Sequence, residues 1–435
     1  MKYVAWRQWP GAVVCYRKAA DLEDESVNAR TTMLNRLRRR KPRIPLERDF
    51  YCSPEDYQVD LDLIWYREWL FVGHDCEIPH KGNYFTVQVG DYPVVVVRDR
   101  DGGLNAFHNS CRHRGSRICS AARGTAARLV CPYHAWTYQL DGRLLSARDM
   151  GAEFDKTQYG LKPVHCRSVA GYVWISLGAV APDFEPIARH IEPYFAPHQL
   201  QHAKVAFEST IVEKANWKLV WENNRECYHC TGNHPELIRT FSDDPTVTGI
   251  EGAATKPFIA EKWSHWESAG LPSKFHIAGN GQYRTARMPL LEGKVSYTMD
   301  GSAAVRKPLA DKVTLPDIGT LLLYHFPSTW NHVLGDHAIT FRMLPISAGE
   351  TQLTTKWLVH RDAVEGVDYD LQRMTEVWLA TNDADRRICQ ENQIGVQSPA
   401  YDPAPYSPVH EGGVTQFIDW YCAELERRLA HDKDR

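Results

Sequence analysis

Two short segments, each carrying one cysteine and one histidine, constrain the fold of this chain more than any other feature of its sequence. The first runs Cys111-Arg-His113, the second runs Cys131-Pro-Tyr-His134, and seventeen residues separate His113 from Cys131. A zinc finger usually keeps its two cysteines together and its two histidines together, whereas each segment here mixes the two types. The pattern predicts two loops that meet in space and bind one metal group through four side chains.

The mixed order favours a binuclear iron-sulfur centre of the Rieske type, in which two cysteines hold one iron and two histidines hold the other. Each loop can then supply one ligand to each iron. Gly115, Gly124 and Pro132 suit loops that turn tightly around such a cluster. The alternatives are a structural zinc site and four unrelated buried residues. The predicted ligands of the [2Fe-2S] cluster are Cys111, His113, Cys131 and His134.

A second pair of histidines, His229 and His234, indicates another metal site. On a continuous helix, residues five apart diverge by about 140°. The helix is therefore predicted to end between them, because Gly232 favours a C-terminal turn and Pro235 forbids continuation. The turn would bring both imidazoles to one metal. The alternative is a pair of hydrogen-bonded core histidines.

A carboxylate in the C-terminal half completes the predicted site. Asp385 lies on the stripe of a long predicted helix that is expected to face the core, whereas Asp383 falls off that stripe. Two imidazoles and one carboxylate form the facial triad of non-haem Fe(II) oxygenases, which leaves coordination positions free. Taken alone, Asp385 would be a helix-surface acid. Joined to the two histidines, it is the predicted third ligand of an Fe²⁺ ion.

Glu226 lies three residues before His229, and the pattern places both on one helix face. Glu226 is therefore predicted to lie beside the iron without necessarily binding it. The alternative is an ordinary surface glutamate.

The composition of the 435 residues is that of a globular protein, with 43% hydrophobic and 24% charged residues. Their number favours two domains. A net charge of −3 gives no reason to expect nucleic acid or an anionic membrane as a partner. The sequence shows no membrane-spanning apolar run and no secretory signal pattern, so a cytoplasmic location is predicted. Eleven scattered cysteines indicate free thiols and metal ligands rather than a disulfide framework.

The pattern of apolar residues predicts an α+β fold. Turn signals at Gly82-Asn83, Asp101-Gly102 and Asp141-Gly142 separate β-branched runs, which indicates short antiparallel strands and tight hairpins. The second half combines strand candidates with a helix from Asn216 to Tyr228 and a long helix from Asp368 to Gln393.

The chain is accordingly divided into three parts. Residues 1–44 form an N-terminal extension, residues 45–182 a cluster-binding domain, and residues 183–435 a catalytic domain. The basic run from Arg36 to Lys41 in the extension is expected to be a solvated segment.

The two metal motifs together resemble the Rieske non-haem iron aromatic-ring-hydroxylating oxygenase family, alpha subunit, from about Pro45 to Tyr421. Within that family, the amino-acid sequence around the motifs resembles the quaternary-ammonium branch, which includes glycine betaine monooxygenase and stachydrine demethylase. The stretches that carry this resemblance are Phe107-His-Asn, Cys111-Arg-His-Arg-Gly-Ser, Glu213-Lys-Ala-Asn-Trp-Lys, Glu222-Asn-Asn-Arg-Glu-Cys-Tyr-His and Trp357-Leu-Val-His. Most ring-hydroxylating relatives have Asp at the position of Glu226, and glutamate there fits the quaternary-ammonium branch.

The resemblance implies an antiparallel β Rieske domain and a helix-grip catalytic domain, in which a long helix lies on an antiparallel sheet. It also implies a homotrimer in which the cluster of one subunit lies near the mononuclear iron of its neighbour, with Glu226 bridging a cluster histidine to an iron histidine. Electrons from NAD(P)H would arrive through a separate flavin and iron-sulfur reductase, because this chain has no Gly-rich dinucleotide fingerprint.

The expected reaction is hydroxylation of an N-methyl carbon with O2, followed by collapse of the hemiaminal to formaldehyde and a demethylated amine. The expected substrate is a small quaternary ammonium compound such as glycine betaine or proline betaine, which an aromatic cage would bind. The candidate cage residues are Trp263, Trp266, Tyr283, Tyr297, Tyr324 and Trp330.

Two other functions remain open at this point. One is a Rieske oxygenase that hydroxylates an aromatic acid, which needs an anion site and no cation cage. The other is an electron carrier with the cluster alone, which would need no set of His229, His234 and Asp385.

Overall fold

The computed structural model describes residues 19–244, 256–310 and 315–431. Its helices are α1 (Ala19–Arg39), α2 (Asp49–Cys52), α3 (Pro54–Asp60), α4 (Glu185–Phe195), α5 (Trp217–Asn224), α6 (Cys230–Asn233), α7 (Pro257–Ser268), α8 (Leu371–Gln397) and α9 (Gly412–His431). Its strands are β1 (Leu70–His74), β2 (Asn83–Val89), β3 (Tyr92–Arg98), β4 (Leu104–His108), β5 (Arg123–Thr125), β6 (Leu129–Val130), β7 (Thr137–Tyr138), β8 (Leu144–Ser146), β9 (Pro163–Val169), β10 (Tyr172–Ser176), β11 (Ala203–Glu213), β12 (His276–Ala278), β13 (Tyr283–Met288), β14 (Thr320–His325), β15 (Thr329–Val333), β16 (Ala338–Ser347) and β17 (Glu350–His360).

The first half forms an antiparallel sheet in the order β1-β10-β9-β4-β3-β2-β5, with a small second sheet in the order β6-β7-β8. The predicted hairpins at Asp101-Gly102 and Asp141-Gly142 are present, between β3 and β4 and between β7 and β8, whereas Gly82-Asn83 leads into β2 without forming a hairpin. Gly82, Gly102 and Gly142 all have positive φ, between 82° and 88°, which a residue without Cβ adopts at little cost. The first Cys/His segment lies between β4 and β5, and the second connects β6 to β7. The small sheet therefore presents one cluster loop, and the large sheet presents the other.

The second half is an antiparallel sheet in the order β11-β17-β16-β15-β14-β13-β12, and the long helix α8 packs on it. Trp378 of α8 packs edge-on against Phe341 of β16, with 5.1 Å between the ring centroids. Asn382, one turn further along, donates a hydrogen bond of 3.0 Å to Thr355 of β17. This arrangement of a long helix on an antiparallel sheet confirms the predicted α+β fold class.

Two buried ion pairs join the first half of the chain to the second. Asp60 at the end of α3 accepts hydrogen bonds from Lys218 and Trp217 of α5 and from Tyr421 of α9, and neither Asp60 nor Lys218 is accessible to solvent. Glu77, after β1, pairs with Lys356 of β17 at 2.6 Å. Segment 49–65 therefore packs with the second half, although the predicted division places it in the first. The domain boundaries themselves stay a prediction.

The basic run in the extension is not wholly solvated, which corrects the sequence-based expectation. Arg36 leaves 13% of its side chain exposed and pairs with Asp49 and Asp56. Arg40 pairs with Asp419 of α9 at 2.5 Å. Helix α1 buries Met33, Leu34 and Leu37 in the core, which brings Arg36 to acids of α2 and α3 and the following Arg40 to α9. Residues 1–18 lie outside the described residues.

None of the described helices is both long and apolar enough to cross a bilayer.

Candidate metal centres

The two predicted cluster loops have the same backbone design. In the first loop the N–H of Cys111 donates to the Ser116 carbonyl, and in the second the N–H of Cys131 donates to the Trp136 carbonyl. Four residues after each cysteine the backbone is left-handed, at Gly115 (φ 77°) and at Ala135 (φ 56°). Each loop thereby turns back on its own cysteine and presents one thiol and one imidazole from the same short segment.

The side chains of the two loops fit a binuclear cluster. Cys111 and Cys131 are buried, whereas His113 and His134 are exposed, and the imidazole centroids lie 4.7 Å apart. Burial raises the pKa of the Cys111 thiol, and a hydrogen bond with the Tyr138 hydroxyl, at 3.2 Å from the sulfur, opposes that rise. The donor set, with two sulfurs inside and two imidazoles at the surface, suits a cluster with one buried and one exposed iron.

The second centre brings three ligand atoms together from two distant parts of the chain. The Nε2 atoms of His229 and His234 lie 3.1 Å apart, and the Asp385 Oδ1 atom lies 3.0 Å from His234 Nε2 and 3.3 Å from His229 Nε2. Ligands at about 2.1 Å from a metal and at right angles to each other are about 3.0 Å apart. The three atoms therefore have the spacing of one face of an octahedron, which is the geometry of a facial triad.

The electrostatics of this centre also suit a cation. Burial alone would lower the pKa of His229, but hydrogen bonds with Asp385 and Glu226 outweigh it and raise the pKa to about 9. Burial alone would raise the pKa of Asp385, and the two imidazoles reverse that effect and lower it. Positive charge is thus favoured at the point where the three side chains converge.

The helix before these histidines ends earlier than predicted. Helix α5 stops at Asn224, so neither Glu226 nor His229 is helical, and a separate short helix α6 lies between the two histidines. Glu226 caps the intervening turn, since one carboxylate oxygen accepts from the N–H groups of Tyr228 and His229. The predicted helix face shared by Glu226 and His229 is therefore wrong. Their proximity comes from the turn.

Glu226 nevertheless lies where the sequence placed it, beside the centre. Its Oε1 atom lies 2.5 Å from Nδ1 of His229, on the side of the ring opposite to the convergence point. A carboxylate at Nδ1 keeps the proton there and leaves Nε2 free to bind a metal.

A cysteine pair in the same loop corrects the expectation of free thiols. Cys227 and Cys230 form a disulfide, whereas the other cysteines of the described residues are free. The Cys230 sulfur lies within 4.8 Å of the ligand nitrogens of His229 and His234. Because it is bonded to Cys227, it has no thiolate to offer, and Asp385 is the better third ligand.

All the residues of the second centre line one cavity of about 570 Å³. This volume is within the range of small-molecule sites. Beyond the convergence point the cavity is walled by aromatic rings and by two arginines. The residues of this wall include Arg225, Phe241, Arg284, Tyr324, Trp330, His332 and Trp378.

Of the six aromatic residues proposed for a cage, Tyr324 and Trp330 line this cavity. Trp263 and Trp266 are residues of α7 and belong to a separate core cluster. Tyr283 stacks on His325 in another core cluster. Tyr297 lies behind the wall, where its hydroxyl contacts Nδ1 of His332 at 3.1 Å.

Several cavity residues were missed from the sequence. Trp378 precedes Asp385 by seven residues, which is two helical turns on one face, so its place on the predicted stripe was an available signal. His332 is neutral, because burial and the nearby Arg284 lower its pKa to about 3. Arg225 and Arg284 carry no local signal that distinguishes them from other arginines.

The fold and the two centres define a Rieske non-haem iron oxygenase, and the comparisons agree. The Rieske [2Fe-2S] domain matches residues 68–164, and the catalytic domain of ring hydroxylating alpha subunits matches residues 200–427. This chain belongs to the family of ring-hydroxylating oxygenase alpha subunits. The alternative of an electron carrier with the cluster alone is therefore wrong.

Among characterised relatives, the chain is similar over nearly its whole length to oxygenase subunits of glycine betaine monooxygenase. It is 48% identical over 413 residues to the one from Pseudomonas aeruginosa, covering 94% of this chain and 96% of that one. It is likewise 48% identical over 414 residues to the one from Chromohalobacter salexigens, covering 94% and 92%. It is also 34% identical over 205 residues to the carnitine monooxygenase oxygenase subunit of Escherichia coli, covering 46% of this chain and 53% of that one.

Solved structures share the fold. A quaternary ammonium Rieske monooxygenase superposes with a TM-score of 0.70 at 20% identity, covering 90% of this chain and 98% of that one. Naphthalene 1,2-dioxygenase from Rhodococcus sp. superposes with a TM-score of 0.68 at 16% identity, covering 92% and 98%.

Proposed function

We propose that this chain is the oxygenase component of a monooxygenase that removes an N-methyl group from a quaternary ammonium substrate, glycine betaine or proline betaine, as formaldehyde. The observation that carries the proposal is the aromatic cavity that opens directly onto His229, His234 and Asp385. The full-length similarity to glycine betaine monooxygenase oxygenase subunits supports the same substrate class.

The proposed ligands divide between the two centres. Cys111 and Cys131 would hold one iron of the cluster, and His113 and His134 would hold the other. His229, His234 and Asp385 would hold the mononuclear iron. When bound, the cluster supplies single electrons and the mononuclear iron activates O2.

The cavity walls bind and orient the substrate. A quaternary ammonium group has no N–H donor, so it is attracted to aromatic faces rather than held by hydrogen bonds. Trp330 on the sheet and Trp378 on α8 provide such rings in the cavity that the iron ligands line, whereas the Tyr324 ring already contacts two guanidinium groups, those of Arg225 and Arg284. These walls would present one N-methyl group to the centre and exclude bulk water from it.

The overall reaction balances with two external electrons. A methyl C–H becomes C–OH, the second oxygen atom of O2 leaves as water, and two electrons and two protons are consumed. The N–C bond of the hemiaminal then breaks, which gives formaldehyde, the tertiary amine and a proton. The electrons would come from NAD(P)H through a separate flavin and iron-sulfur reductase.

We also propose a homotrimer in which electrons pass between subunits. The exposure of His113 and His134 supports this, because both imidazoles are available to a neighbouring chain. Glu226 would connect such an imidazole to His229, to which it is already hydrogen-bonded. The cytoplasmic location stays a prediction.

A second candidate function is hydroxylation of an aromatic acid. Arg225 and Arg284 in the cavity wall suit the carboxylate of such an acid as well as that of a betaine. The chain is 31% identical over 48% of its length to the anthranilate 1,2-dioxygenase large subunit of Acinetobacter baylyi.

The test is formaldehyde release by the iron-loaded protein, coupled to a reductase, with glycine betaine, proline betaine, carnitine and benzoate in turn. Formaldehyde in proportion to O2 consumed is expected with a betaine. An Asp385→Ala variant is the control for release that does not depend on the iron. Coupled O2 use with benzoate and no formaldehyde from any betaine would favour the aromatic-acid alternative.

A further inference from the structure

Two arginines of the cavity wall share one aromatic ring. Arg284 of β13 lies directly across from Tyr324 of β14 in the sheet register, and its Cζ atom is 5.0 Å from the Tyr324 ring centroid. Arg225, which follows α5, reaches the same ring, with its Cζ atom at 4.0 Å. Both arginines line the cavity that contains the iron ligands.

Neither guanidinium has an anionic partner within the described part of the chain. Arg284 is only 7% exposed, yet no carboxylate within 4.0 Å and no hydrogen-bond acceptor is found for it or for Arg225 among residues 19–244, 256–310 and 315–431. Two other buried cations, Lys218 and Lys356, are paired with Asp60 and Glu77, and the buried Arg287 donates to a backbone carbonyl.

A pair of buried like charges is costly unless an opposite charge joins it. Burial lowers the pKa of Arg284, and the neighbouring Arg225 lowers it further, to about 10. Arg284 therefore remains charged at neutral pH. The Tyr324 ring offsets part of the cost through its π face, but it cannot supply hydrogen-bond acceptors to two guanidinium groups.

The wall of the cavity thus carries groups of both charge signs. Asp385 and Glu226 are hydrogen-bonded to the imidazoles of His234 and His229, and the arginine pair lies on the Tyr324 ring. A substrate that is only a cation would be repelled by the arginines. A hydrocarbon would leave them unpaired. A zwitterion places a negative group where the cavity wall lacks one.

We propose that Arg284 and Arg225 bind the carboxylate of the substrate, so that the cavity selects betaines of amino acids over quaternary ammonium alcohols. This inference rests on the proposed function and deepens it. The carboxylate would occupy the arginine side of the cavity, and the trimethylammonium group would lie against the aromatic walls. The arginines then act as specificity-determining residues that orient an N-methyl group toward the iron ligands.

The first test uses the unaltered, iron-loaded protein and needs no variant. Glycine betaine and choline carry the same trimethylammonium group, and only the first has a carboxylate. Binding of each is measured by the fluorescence of the cavity tryptophans Trp330 and Trp378. Glycine betaine is expected to bind about 10- to 100-fold more tightly, as is typical for charge-assisted hydrogen bonds. Equal affinity for choline would overturn the proposal.

The second test changes the arginine. Arg284→Gln should raise the KM for glycine betaine about 10- to 100-fold, with a smaller change in kcat, and should narrow the preference for glycine betaine over choline. Arg284→Lys, which keeps the charge, should recover part of that preference. An unchanged KM and an unchanged preference in a folded Arg284→Gln protein would refute the inference.

Arg287 provides the matched control. It lies on the same strand and is fully buried, but it donates to the Ile318 carbonyl and contacts His198, away from the cavity. Arg287→Lys should leave the ratio of glycine betaine to choline affinity unchanged. The Arg284→Gln protein is tested only if it folds, as judged by the presence of the cluster spectrum. If it does not fold, the carboxylate site is tested by Arg225→Gln and by the comparison of glycine betaine with choline on the unaltered protein.

Failure of the inference and failure of the proposed function give different results. Formaldehyde from glycine betaine together with equal affinity for choline would leave N-demethylation standing and reject the carboxylate site. Tight binding of benzoate that Arg284→Gln weakens, with no formaldehyde from any betaine, would support the carboxylate site and reject N-demethylation.

Discussion

Binding of iron at the mononuclear centre should release a proton from His229. The imidazole lies between two carboxylates, Glu226 at Nδ1 and Asp385 near Nε2, which raise its pKa to about 9 despite burial. The metal requires a free lone pair at Nε2, so the charged imidazole must lose one proton when iron binds. Because this proton competes with the metal, the affinity for iron should rise with pH up to about 9.

The pKa of His229 also sets the number of protons that are released when iron binds. At pH 7.5 a group with a pKa of about 9 is protonated in nearly all molecules, whereas an ordinary histidine is protonated in about one tenth of them. His229 alone should therefore contribute nearly one released proton per bound iron. The apparent Kd should fall about tenfold for each pH unit between 7 and 8.5.

Anaerobic calorimetric titration of Fe²⁺ into cluster-loaded protein that lacks the mononuclear iron measures this release. Repeating it in buffers of different ionisation enthalpy gives the number of protons per metal. Glu226→Gln removes one of the charges that raise the pKa of His229, so its proton release should be smaller. Release of less than about half a proton at pH 7.5, or a Kd that does not change with pH, would refute the reasoning.

Three further predictions concern single side chains. Asp385→Ala should keep the visible spectrum of the cluster and abolish turnover, with iron content falling from three to two per chain; loss of the cluster spectrum would contradict separate centres. Glu226→Gln should retain both metals but slow electron transfer between them, and an unchanged single-turnover rate would exclude the bridge. Lys218→Met leaves Asp60 buried without its ammonium partner and should cost about 3–5 kcal/mol of unfolding free energy in denaturant titrations. Arg143→Ala, at the exposed pair with Asp141, is the control and should cost less than about 1 kcal/mol.

The sequence was most informative where the relevant contacts are local. The glycine turns between the first strands follow from short-range backbone preferences, and the structure has them at the predicted positions. The same holds for the two cluster loops, because each cysteine and its histidine lie within three residues. The assignment of these side chains as ligands remains a prediction, which the geometry of the loops supports.

The local prediction failed where the chain departs from regular structure. The helix before His229 was expected to continue through Tyr228, and it ends at Asn224. Glu226 caps the following turn by accepting hydrogen bonds from the backbone N–H groups of Tyr228 and His229, and these bonds compete with continuation of the helix. A spacing rule derived from helices could not anticipate that turn.

The sequence by itself determined the family, the two metal motifs and the fold class, because these depend on residue types at short, fixed spacings. Only the tertiary structure decided which distant side chains meet. The helical stripe predicted Asp385 as a ligand, but the tertiary structure brings it to His234 across 151 positions of the chain, and Arg284 meets Tyr324 because β13 pairs with β14 in one register. Sheet order and register come from packing of the whole core, so the charge pattern of the cavity is visible only in the folded chain.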